Sequence, residues 1–146
     1  MNTIEIEREM GRCLEANGIF KGVFPSDMLP VISSYPAGFI CNQDASNSKG
    51  SHWLAFYVTK TLVEFFDSYG RDPFSICFPQ SFGYFIGQKQ CAYNEQILEG
   101  IFDQTCGEFA IYFTCNRAKG FSFEDIIRSF SGNPVANNHI VLNYLK

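Results

Sequence analysis

The chain has 146 residues, a length that fits one hydrophobic core, and residues 1–146 read as a single domain whose 46% hydrophobic content, with 16 Phe and 7 Tyr, suffices to fold without staples. A formal charge of −4 with only 11 Lys and Arg leaves no basic stripe for a nucleic-acid partner, and no apolar run reaches the roughly 18 residues of a membrane span, so a soluble intracellular protein is expected. The six cysteines, at 13, 41, 77, 91, 106 and 115, form no C-x-x-C pair and have no His at zinc-ligand spacing, which predicts reduced thiols rather than disulfides or a metal site.

Along the chain, Ile6, Met10, Cys13 and Leu14 fall on one face at helical spacing, predicting an amphipathic helix over 4–17 with Thr3 as its cap. Residues 22–27 read as a turn-rich loop. The apolar run Phe39-Ile40-Cys41 predicts a short strand within 38–42, and the polar stretch from Gln43 to Ser51 a surface loop that delivers His52. Aromatic and branched residues over 53–58 and 62–66 predict a central hairpin. The aromatic segment 73–87 reads as helical in part, and another short strand is expected near 90–93. Phe109, Ala110, Phe113 and Arg117 follow helical spacing from Cys106 to Gly120, and two more helices are expected over 122–130 and 134–145. The sum is an α+β fold in which a central, mostly antiparallel sheet is flanked by helices.

Three local contexts carry chemistry: Gly50-Ser51-His52-Trp53 before a strand, Phe66-Asp67-Ser68-Tyr69-Gly70 after the next, and Thr105-Cys106-Gly107 at a helix start. A hairpin brings the start of its first strand beside the end of its second, so His52 and Asp67 should be neighbours. A thiol at a helix N-terminus faces the partial positive charge of the free amides, which favours the nucleophilic thiolate. With Cys106 as nucleophile, His52 as base and Asp67 fixing its tautomer, the set meets the requirements of acyl transfer, here peptide or isopeptide hydrolysis. Each residue alone would read blandly, as a buried cysteine, a loop histidine and a turn aspartate; it is their coincidence that points to chemistry. Trp53 reads as a cleft wall, Asn42 and Asp44 as loop-holding side chains, and His139 as a surface residue with no assigned role.

These motifs, with Gly22-Val23-Phe24-Pro25-Ser26-Asp27, Asn42-x-Asp44, Tyr93-Asn94 and Cys106-Gly107-Glu108, make the chain resemble the adenovirus-type cysteine proteases, above all those of Maverick/Polinton elements and large DNA viruses. The resemblance covers most of the chain, and the His, Asp, Cys order is that family's. It implies a papain-like core in circularly permuted order and cleavage of viral or transposon-encoded precursor proteins such as capsid components. It further implies a protein substrate as partner and residence in the cytoplasm or nucleus of an infected or host cell, or in the virion. The adenovirus enzyme also uses a peptide activator and DNA, but this acidic chain has no basic track for them, so a monomer with no required cofactor is expected. The family places a Gln seven residues before the nucleophile as an oxyanion donor, and this sequence has Glu99 there. Loss of one such donor typically costs about 100- to 1000-fold in rate, and an ionised Glu would repel the oxyanion. Glu99 could therefore serve only if protonated. Another alignment would bring in Gln96, and the backbone amide of Cys106 supplies a second donor in either case. Two alternatives follow: an isopeptidase acting on ubiquitin-like modifiers, whose proteases share the residue order, and a catalytically degenerate domain that binds a protein partner.

Overall fold

Every strand of the protein joins one sheet, in the order β1 (Phe20–Phe24), β2 (Ala37–Asn42), β3 (Trp53–Val58), β4 (Leu62–Phe66) and β5 (Gln90–Tyr93), in a computed structural model that describes residues 1–146. The centre is antiparallel as the sequence predicts, with Ile40 opposite Ala55 and Ala55 opposite Phe66. Both edges are parallel: β1 runs with β2, and β5 with β4. The parallel pairs are confined to the edges, because each edge strand is reached by a long connection rather than a tight turn.

The predicted hairpin has the expected bounds because its residues satisfy both faces of a covered sheet. Along β3, Leu54, Phe56 and Val58 point to one face and Ala55 and Tyr57 to the other. On the first face Phe39, Phe56, Phe65, Phe78 and Phe82 pack under α2 (Gln80–Ile86), Phe39 stacking on Phe56 at 5.0 Å and Phe82 meeting Phe56 edge-on at 5.4 Å. Much of the high Phe content is spent here, in pairs worth about 0.5–1.5 kcal/mol each beyond their burial.

The opposite face holds α3 (Cys106–Ala118), with α1 (Thr3–Gly11), α4 (Phe123–Arg128) and α5 (Pro134–Tyr144) packed around it. Phe109, Ala110, Ile111, Phe113, Thr114 and Cys115 are all buried, so α3 is covered on nearly every side, which is why its sequence is apolar without a clean stripe. Its far end is tied to the sheet by Arg117, whose Nε and Nη2 donate to the two oxygens of Glu64 on β4 at 2.7 and 3.2 Å, while the guanidinium lies 4.2 Å from the Tyr57 ring centroid.

Two stretches differ from expectation. The first helix ends at Gly11 rather than 17, its cap is Asn2, which accepts from Glu5 N, and Leu14 is exposed in a separate 3-10 turn. Part of the loop expected at 22–27 is strand β1; Gly22 and Pro25 look like turn signals, but backbone pairing with β2 decides the conformation. The fourth and fifth helices begin where the sequence places them, Ser122 capping α4 by accepting from Asp125 N, and Asn133 capping α5 with Pro134 as its first residue. No helix is long and apolar enough to cross a membrane.

The Arg117–Glu64 pair is nearly desolvated, with side-chain exposures of 15% and 5%. Arg117→Ala strands the Glu64 carboxylate and should cost about 3–5 kcal/mol in urea unfolding, whereas the double change to an apolar pair should recover most of that loss.

Candidate functional site

Three elements converge where α3 begins. The β3–β4 register ends with Ala55 opposite Phe66, which leaves Asp67, just past β4, at the end of the hairpin where the loop residue His52 lies: Nε2 of His52 is 2.7 Å from Oδ1 of Asp67. Asp67 accepts and Nε2 donates, so Nδ1 is the ring atom left free for Cys106. From the third element Cys106 offers its Sγ, which takes a hydrogen bond from Trp53 N–H at 3.4 Å. Sγ, a His52 ring nitrogen and a Glu99 carboxylate oxygen all lie within 4.8 Å of one another.

Asp67 has no solvent exposure, and the site is built to keep it ionised. Oδ1 also accepts from Tyr69 N at 3.0 Å, while Oδ2 accepts from Arg71 Nε at 2.7 Å. Burial works to raise its pKa, but the His52 and Arg71 contacts outweigh that and leave it below the usual carboxyl range. Asn94 fixes the backbone of the same residue, with Oδ1 accepting from Asp67 N and Nδ2 donating to Asp67 O. His52 feels the reciprocal effect: burial disfavours its charged form, yet Asp67 on one side and Cys106 on the other push its pKa up to about 9. The Tyr69 ring stacks on the imidazole at 4.6 Å between centroids and 12° between planes, closing off its other face. At the turn between Tyr69 and Arg71 only Gly fits, since Gly70 has φ +69° and a Cβ there would sit 2.5 Å from Gln96 O.

Glu99 is fully buried, with Oε1 accepting from Ser68 Oγ–H at 2.5 Å and Oε2 from Thr105 N–H at 2.9 Å. Burial raises its pKa; the Ser68 and Thr105 bonds and the nearby His52 oppose that without cancelling it. Gln96, the alternative, has an exposed side chain, and only its backbone carbonyl is used, close to Gly70 and to Asn94 Nδ2. Glu99 is thus the residue placed beside Cys106. Trp53 is half-buried over Gly107, its Nε1 donating to Met1 O at 2.9 Å. It also borders a cavity of about 480 Å³, further lined by Val23, Phe24, Asn42, Asp44 and Gly50. Asn42 accepts from Asp44 N at 2.9 Å, the loop-holding role its sequence suggests, and His139 is exposed on α5. A larger cavity of about 780 Å³, bounded by Phe74, Ile76 and Tyr84, includes none of the four converging residues.

Sequence reasoning gave no role to Arg71, Tyr69, Asn94 or Ser68. Arg71 could have been suspected from its i, i+4 spacing to Asp67; the stacking of Tyr69 and the donor role of Ser68 carry no signal in sequence. The potential metal-ligating trio of His52, Glu99 and Cys106 was equally invisible to spacing rules, because its members come from three separate segments.

The chain matches no family model and no curated protein. Among solved structures it is similar to the ASFV pS273R protease, with 17% sequence identity and a TM-score of 0.46 over 71% of this chain and 43% of that one. The chain thus spans less than half the length of that protease.

The raised His52 pKa has a defined consequence for stability. A histidine whose folded pKa lies above its unfolded value of about 6.5 stabilises the fold fully below that value, and the contribution fades as pH rises through about 9. Asp67, lowered in the folded state, contributes above the ordinary carboxyl range and loses its contribution in acid. Chemical unfolding from pH 6 to 10 should show an alkaline fall in stability that is absent in His52→Ala.

Proposed function

We propose that the chain is a cysteine endopeptidase in which Cys106 is the nucleophile, His52 the general base and acid, and Asp67 the residue that orients the imidazole. The observation that carries this reading is the linked set Asp67 Oδ1 to His52 Nε2 at 2.7 Å, with Cys106 Sγ close to the imidazole at the first residue of a buried helix. Arg71 and Asn94 hold Asp67 from the far side, so the imidazole is fixed in one tautomer and orientation.

In this mechanism Sγ attacks the scissile carbonyl, its proton having passed to His52. The oxyanion takes the Cys106 backbone N–H, which has no intrahelical partner at the first helical position. His52 returns the proton to the leaving amine, and water, deprotonated by His52, then releases the acyl group and restores the thiol. Glu99 is the second oxyanion donor when its carboxyl is protonated, the form that its burial favours. The substrates we assign are precursor proteins of the viral or transposon capsid type, extended across the cavity beside Trp53, with the core taken to be papain-like in permuted order.

The position of Glu99 also favours a second reading, a partner-binding domain whose old active site no longer turns over. An ionised carboxylate within 4.8 Å of Sγ would repel the negative charge that develops on the oxyanion. The two readings separate in an assay that follows new termini by mass spectrometry, using a peptide library, a capsid-type precursor and a ubiquitin-like fusion. The endopeptidase reading expects cleavage of library and precursor, loss of turnover in Cys106→Ala and His52→Ala, and a rate gain of about tenfold or more at neutral pH in Glu99→Gln, which restores a permanent donor. Cleavage of the fusion alone would make it an isopeptidase, and no turnover in wild type or Glu99→Gln would leave the partner-binding reading.

A further inference from the structure

Glu99 is a buried carboxyl whose hydrogen-bond partners are both neutral, Ser68 Oγ and Thr105 N, whereas the equally buried Asp67 has Arg71 as a cationic partner. Each bond uses one lone pair on its oxygen, so each oxygen keeps another with which to ligate. Next to it stand a thiol and an imidazole nitrogen, with all three ligand atoms within 4.8 Å. A tetrahedral zinc with bonds of about 2.0–2.3 Å holds its ligands about 3.5 Å apart, so side-chain rotations closing about 1 Å would complete the geometry.

We infer that the site also binds a zinc-type divalent cation through Cys106 Sγ, His52 Nδ1 and a Glu99 carboxylate oxygen, leaving the fourth position to water, and that this cation switches the nucleophile off. The surrounding contacts are those a zinc site needs. His52 donates its other nitrogen to Asp67, the carboxylate–histidine arrangement that fixes the ligating tautomer and raises its basicity. Ser68 and Thr105 orient the carboxylate in the same way. A thiolate, a carboxylate and a neutral imidazole together balance a dication; as the metal enters, the proton shared by Cys106 and His52 leaves to solvent, and so does the carboxyl proton of Glu99 where that group is protonated. Cys106 is half-buried, which gives the ion a way in. A Gln at position 99 would offer only a neutral amide, so the substitution that weakens the oxyanion hole is the one that completes a ligand set of three. A bound cation ties up the sulfur lone pair and holds Glu99 in its anionic form, both incompatible with attack on a carbonyl.

Binding stands on the geometry alone; only the inhibitory effect rests on the endopeptidase reading. The test titrates the full chain with Co²⁺ under a non-chelating reductant, following thiolate-to-metal charge-transfer absorption, and then displaces Co²⁺ with Zn²⁺. Expected is one Co²⁺ per chain with a charge-transfer band, loss of that band in Cys106→Ala, and affinity lowered by at least about tenfold in both Glu99→Gln and Asp67→Asn. Circular dichroism of each variant shows whether it is folded, and protection of wild-type Cys106, but not of the exposed Cys77, from alkylation by Zn²⁺ gives a readout that needs no variant. Absence of the band in the wild type, a band that survives Cys106→Ala, or an affinity unchanged in a folded Glu99→Gln would overturn the inference whether or not the protein cleaves peptides. A protein that cleaves peptides and binds the cation, yet keeps full activity with the site loaded, would overturn the switch.

Discussion

A carboxylate with no solvent exposure is the constraint on which this structure turns. Removing Asp67 from water costs several kcal/mol, and the protein offsets that with His52 and Tyr69 N on one oxygen and Arg71 on the other. Each of those donors is thereby fixed in turn. Arg71 is drawn across to Gln43 Oε1 at 3.0 Å and over the Phe78 ring, so the charge that neutralises Asp67 also pins the loop before His52 and the aromatic face of the sheet. The precision of the candidate site follows from solving a burial problem.

The fold supplies the other half of the geometry. Antiparallel pairing of β3 and β4 brings His52 and Asp67 to one end of the sheet, and α3 lies across the opposite face with its first residue at that end. Packing of Phe66 on Phe113, stacked at 4.8 Å, sets the helix on the sheet near its middle, and the Arg117–Glu64 pair holds its far end. Sγ is thus presented by a helix that has little freedom to move relative to the imidazole, the preorganisation that nucleophilic catalysis demands. Glu99 arrives on the irregular segment between β5 and α3, with its backbone N–H bonded to Ser68 O. Two backbone bonds to Ser68 O, from Leu98 N and Glu99 N, and the Ser68 Oγ bond to the Glu99 carboxyl couple that segment to the turn carrying Asp67.

The hairpin over 53–66 and the helix at Cys106 are legible in the sequence because both have apolar runs bounded by clear polar breaks, and the juxtaposition of His52 and Asp67 follows from hairpin geometry alone. Strand β1 is not legible, since Phe20-Lys21-Gly22-Val23-Phe24 lacks alternation and is half-buried throughout, its conformation being imposed by a neighbour remote in sequence. The parallel edges are hidden for the same reason. In the site, Glu99 stands out in sequence only as a departure from a motif; its burial, its neutral partners and its place beside Sγ depend on how three separated segments meet. The support given by Asn94 to Asp67 is a contact across 27 residues, beyond the reach of any local pattern.

The central claim is that Cys106 and His52 form an activated pair held by Asp67, and the rate of Cys106 alkylation by iodoacetamide as a function of pH tests it most directly, with Cys77 of the same chain as the exposed reference thiol. The account predicts that Cys106 reacts faster than Cys77 near neutral pH and that this advantage disappears in His52→Ala and shrinks in Asp67→Asn. A Cys106 that reacts no faster than Cys77 across the range, or whose reactivity ignores His52, would contradict it.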